Sequence, residues 1–163
     1  MYLWDYEMES YKDEIDRLRG LPRLAVVVNA IDWTVRTLDP PIDDTESVDF
    51  IQSTLNYCRT ALDAGNASPV LTPDIESRIT LYSDSKGGET GVPNLLDALT
   101  GCFGYGEDRI RTQAVYDALS ACYEAALLIE AERLGADIDL DFERLNDRCH
   151  QVIDHQKGLI DRA

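Results

Sequence analysis

Residues 107–134 read EDRIRTQAVYDALSACYEAALLIEAERL, a stretch without proline or glycine that is closed by Gly135. Val115, Leu119, Cys122, Ala126 and Ile129 recur at steps of four and three, the spacing that gathers side chains on one side of an α-helix. Ala118, Ala121 and Ala125 broaden that stripe with small side chains, which let neighbouring helices come close. A helix of this length spans about 40 Å at 1.5 Å per residue. The stretch therefore predicts a long central helix around which the remaining elements pack.

The same spacing recurs on both sides of it. Trp4, Met8, Tyr11, Ile15 and Leu18 predict a helix from about Leu3 to Arg19, ended by Gly20 and Pro22. Leu24, Val28, Ile31, Val35 and Leu38 predict a second, from about Pro22 to Leu38. Its Val26-Val27-Val28 run would also suit a strand, but the sustained helical spacing decides against one. Asp39-Pro40-Pro41 stops it. A third helix starts at Asp44 or Thr45, carries Val48, Ile51, Leu55, Cys58 and Leu62, and closes at Ala64-Gly65-Asn66. Thr72-Pro73-Asp74 supplies an N-cap, a first-turn proline and an acid suited to the helix dipole, opening a short fourth helix that ends near Tyr82. Residues 83–93 read as a flexible connection, and Leu95, Leu99 and Cys102 mark a helix over 94–102. Phe142, Leu145, Cys149, Val152 and Leu159 mark a last helix over 141–160. No hairpin signal appears. The expected fold is all-α: one domain over 1–163, a bundle of six or seven helices around residues 107–134.

Charge is the most unusual global property. Thirty-one acids against 15 bases give a net charge of −16, with 20 Asp, 11 Glu and only three Lys. Such a field repels nucleic acids and anionic membranes, since phosphate binding relies on Lys and Arg displacing counterions. A basic protein is the partner it suits. A salt-adapted host would produce a similar composition in a regulatory or scaffold domain. No apolar run approaches the roughly 18 residues needed to cross a bilayer, and the acidic start is unlike a secretory leader. Cys58, Cys102, Cys122 and Cys149 are far apart and lie in phase with apolar stripes, as buried free thiols in a reducing compartment do. These features point to the cytoplasm.

Two acidic stripes are candidate partner-binding faces. Asp5, Glu9, Asp13 and Asp16 fall at steps of four, four and three opposite the apolar side of the first helix. Glu143, Asp147, His150 and Asp154 fall at steps of four, three and four on the last, as a solvated face with His150 at its boundary. Like charges at these spacings destabilise an isolated helix by tenths of a kcal/mol per pair. The second stripe has the carboxylate-x-x-His spacing used by helical di-iron sites. Those sites need the unit twice, and His155 has no acid three residues before it, so metal binding or an enzyme built on that face is the alternative function. No catalytic residue, metal site or cofactor is assigned. Gly101, Gly104 and Gly106 do not match a dinucleotide fingerprint, and Glu107 and Asp108 would repel phosphate there. Tyr57, Tyr82, Phe103 and Tyr105 fall off the apolar stripes and read as exposed aromatics, Tyr105 being the candidate interface anchor. The sequence is thus expected to encode a non-enzymatic protein-binding module. In its sharpest form this is an intracellular inhibitor of immunity or antitoxin type that neutralises a basic, nuclease-like toxin.

Overall fold

The computed structural model describes residues 1–163 and holds nine helices and no strand. In chain order they are α1 (Leu3–Met8), α2 (Tyr11–Arg17), α3 (Gly20–Thr37), α4 (Thr45–Asp63), α5 (Pro73–Ser85), α6 (Val92–Thr100), α7 (Thr112–Leu134), α8 (Leu140–Leu145) and α9 (Asp147–Asp161). The expected caps are in place. The Asp44 and Thr72 side chains accept from the Ser47 and Ile75 backbone N–H groups, and Gly135 closes α7 at a left-handed φ of 61°.

Helix α7 is central, touching α1, α2, α3, α6 and α9. Its small residues serve the close approach that their size implies. A Cβ added to Gly101, at the end of α6, would stand 2.7 Å from Ala118 Cβ and 2.9 Å from Ala114 O. Trp4, Met8, Ile15, Leu24, Ile31, Ile51, Leu55 and Leu95 are fully buried in the core it shares, as is its own Leu119. Each such aliphatic or aromatic side chain contributes about 1.5–3 kcal/mol on leaving water. All four cysteines are free and buried, and burial pushes the Cys122 thiol up to about 12. No helix is long and apolar enough to cross a membrane.

The structure differs from the sequence expectation at four places. The first helix divides at Glu9–Ser10, between α1 and α2. The last divides at Asn146, whose extended backbone lets its side chain cap α9 through the Cys149 N–H, at 3.1 Å, and donate to Glu130, also at 3.1 Å. Helix α7 begins at Thr112 rather than 107, because the Ile110 carbonyl is taken by the buried Arg23 guanidinium at 2.8 Å. Residues 83–85 belong to α5 and 92–93 to α6, so the connection between them covers only 86–91. Lys86 ties it to Asp44 and Glu46 at 3.1 and 3.2 Å.

The chain ends are joined by buried polar contacts. The Leu3 N–H and the Tyr123 hydroxyl both donate to Glu143 Oε2, at 2.8 and 2.5 Å. The Trp4 indole N–H donates to Gln156 at 2.6 Å, and the Gln156 amide donates in turn to the Leu119 carbonyl at 2.9 Å. These bonds lock α1 and α7 against α8 and α9.

Candidate functional site

The acidic candidates from the sequence meet different fates. Asp5 is half-buried and accepts the Tyr2 N–H at 2.7 Å, as a capping group of α1. Glu9 is exposed and pairs with Lys12 at 3.3 Å. Asp16 accepts from the Thr112 hydroxyl at 2.6 Å and lies 3.6 Å from Arg23. Only Asp13 of this stripe is exposed with no bonded partner.

The second stripe is corrected. Glu143 is 1% exposed and turned inward to α1 and α7, because the break at Asn146 separates its helix from α9. It shares no solvated face with Asp147, His150 and Asp154, which remain exposed on α9. His150 Nε2 lies 2.8 Å from the Arg144 carbonyl. No group of three or more His, Cys, Asp or Glu stands in an arrangement able to hold a metal ion. His155 stacks on Trp33, with ring centroids 4.0 Å apart and planes within 10°.

Two of the aromatics expected to be exposed are also corrected. Phe103 is 1% exposed, its ring 6.4 Å from that of Tyr57, and Tyr82 packs edge-on to Phe50. Tyr57 and Tyr105 are the exposed pair. Tyr57 donates to the Val70 carbonyl at 2.8 Å, whereas Tyr105 is two-thirds exposed at a φ of 50°. Left-handed backbone is unusual for a bulky side chain and costs of order 1 kcal/mol or more.

Tyr105 stands at the rim of a groove of about 400 Å³ between α6 and α7. Gly101, Ala114, Ala118 and Ala121 line it with small side chains, and Asp97, Asp117 and Glu124 line it with carboxylates. Asp117 and Glu124 are seven residues apart, two helical turns or about 10 Å along one face. None of the three lies within 4 Å of a Lys or Arg nitrogen. Asp117 accepts from the Gln113 amide at 2.6 Å. Glu124 has only long bonds, from Asn94 and Ser120, each 3.4 Å.

The electrostatics follow from that geometry. Burial holds the Glu124 carboxyl above its ordinary range; the Ser120 hydroxyl opposes this, and the charges of Asp5 and Asp97 add to it. Asp97 is more open, yet partial burial raises its carboxyl too. The Tyr116 phenol is raised by burial and then by Glu9, Asp5 and Asp117. The fields of α1, α6 and α7 therefore overlap on this side of the molecule. A cation entering the groove would meet three carboxylates that no resident base neutralises, one of them, Glu124, partly withdrawn from water.

Asp97, Asp117 and Glu124 were not among the sequence candidates. The available signal was their phase: Asp117 and Glu124 share a side of the long helix with the alanines that broaden its stripe. No family model matches the chain, no curated protein matches it, and no solved structure matches it.

Proposed function

We propose that this chain is a non-enzymatic binding module whose α6–α7 groove receives a Lys or Arg side chain from a basic partner protein. In the sharpest form it is a cytoplasmic inhibitor of immunity or antitoxin type, occupying the phosphate-binding cleft of a nuclease-like toxin. The observation that carries this reading is the set of three carboxylates in one groove, without an ion-pair partner and two of them held above their usual titration range by burial. A cleft built for phosphate presents Arg and Lys, and a fixed carboxylate array is its electrostatic complement. Tyr105, displayed beside the groove, supplies rigid amphipathic area of the sort that anchors interfaces. The net charge of −16 would speed encounter with a cationic surface.

Titration calorimetry against a panel of basic nuclease domains, from 50 to 300 mM salt, tests this. A cognate domain binds more weakly as salt rises. The Asp97→Asn/Asp117→Asn/Glu124→Gln protein binds it at least tenfold more weakly, the loss of about 1.4 kcal/mol or more. Unchanged affinity in that variant would remove the groove from the interface and move attention to Asp13 and Glu9.

A further inference from the structure

In a chain with twice as many acids as bases, a cation without a carboxylate is conspicuous. Arg19, Arg109 and Arg162 are exposed and form neither an ion pair nor a side-chain hydrogen bond, whereas the three lysines and most other arginines are paired. These three surround one place, the start of α3. Arg19 is its N-cap residue, and Arg109 packs so close to Gly20 that a Cβ there would lie 3.1 Å from Arg109 Cβ. Arg162, at the end of α9, borders the other side.

Two hollows adjoin here and share Leu21 and Pro22. One, about 550 Å³, is lined by Arg19 and Arg109, with Asp108 its one acid. The other, about 420 Å³, is lined mainly by apolar side chains, Ala25, Val26, Leu62 and Leu159 among them, with Arg162 at its edge. The first turn of α3 holds no acid and no side-chain cap, so its free N–H groups add to the positive potential. None of these residues belongs to the α6–α7 groove.

We propose that this surface docks a segment of a partner protein in which apolar side chains are flanked by Asp or Glu. The apolar hollow takes the aliphatic side chains, while Arg19, Arg109 and Arg162 take the carboxylates through guanidinium forks. Charge complementarity selects that occupant. Arg19 and Arg109 share one hollow with a single acid, Asp108, and Arg162 edges the adjoining one, so the bases there outnumber the acids and a few partner carboxylates would pair with them. A polyphosphate would bring far more negative charge against the −16 of the whole chain and would leave the apolar hollow unfilled. The inference is independent of the groove's role, since it assigns opposite chemistry to other residues.

The test is an array of fluorescent twelve-residue peptides with Leu at i, i+3 and i+4 and Glu at flanking positions, read by anisotropy on the intact protein. Paired controls replace Glu by Gln, or Leu by Ala. Glu–Leu peptides are expected to bind at least tenfold more tightly than either control. The same loss is expected with Arg19→Ala/Arg109→Ala and with Leu21→Asp; all three positions are exposed, and a thermal melt confirms folding. The Asp97→Asn/Asp117→Asn/Glu124→Gln protein should bind these peptides no more weakly than the unaltered chain. The proposal is overturned if no Glu–Leu peptide outcompetes its Gln counterpart, or if the arginine and leucine variants bind as tightly as the unaltered protein.

Discussion

Glu143 and Glu124 are both glutamates on helix faces beside a tyrosine, and the fold treats them in opposite ways. Glu143 is enclosed and well served, with a backbone N–H and a phenol directed at one oxygen. Glu124 is partly enclosed and poorly served, with two long neutral bonds and the charges of Asp5 and Asp97 nearby. A buried carboxylate with short donors is part of the frame, and one without them leaves its charge poorly compensated. The difference lies in the donors that the fold supplies, not in residue type or helical position.

The largest expected effect comes from breaking the well-served site. Glu143→Ala leaves the Leu3 N–H and the Tyr123 hydroxyl buried without an acceptor, a loss of about 3 kcal/mol in all. For a chain of this size that lowers Tm by roughly 6–12 °C, measurable by calorimetry. Glu143→Gln keeps an acceptor oxygen and should lose about half as much. Next is the wall of the poorly served site. Gly101→Val forces a side chain against Ala118 and the Ala114 carbonyl, pushing α6 from α7 at a cost of about 1–3 kcal/mol. Chemical denaturation should show a lower midpoint, and basic-partner affinity should fall with it.

Glu124→Gln should do the reverse to stability. Removing a partly desolvated charge near two like charges should stabilise the free protein slightly, solvent screening keeping the gain small, while weakening a basic partner about tenfold. Because the folded carboxyls of Glu124 and Asp97 titrate above their unfolded values, they contribute stability below those values that is lost as pH rises through the raised ones. A bound cation lowers them again. Partner affinity should therefore increase with pH across that window, with protons released on binding, as calorimetry in buffers of different ionisation heat would register.

The smallest effect tests the comparison on a base. His155 Nε2 is buried without a partner, and burial, followed by Arg162 and Arg148, depresses the imidazole. Its contribution to stability is complete above the unfolded value of about 6.5 and is lost as pH falls from there through the depressed one. His155→Phe keeps an aromatic ring against Trp33 and removes the titrating nitrogen. Between pH 7.5 and 5 its Tm should decline less than that of the unaltered protein.

The periodic apolar stripes made the helical class and the central role of α7 legible, because i, i+3, i+4 spacing is a local property. The breaks at Glu9–Ser10 and Asn146 were not, for neither carries a glycine or proline. The break at Asn146 arises where its side chain finds a distant partner, Glu130. The stripe Glu143–Asp147–His150–Asp154 was misread for the same reason. Nothing near Glu143 distinguishes it from Asp147, and what turns it inward is Leu3 and Tyr123. Of the functional candidates, Tyr105 reads from the sequence as an exposed aromatic, and it is two-thirds exposed, beside the groove. Asp97, Asp117 and Glu124 were hidden because a groove belongs to two helices, and helical phase describes one at a time.

The joint between α1 and the α8–α9 pair has a consequence for synthesis. Its bonds connect residues 140 and 152 positions apart, so α1 meets these partners only once α8 and α9 have been made. Until residue 143 emerges, the nascent chain carries Trp4 and Met8 with much of their final enclosure missing. A translational pause between α1 and α8 would prolong that interval and invite chaperones to cover the waiting segment.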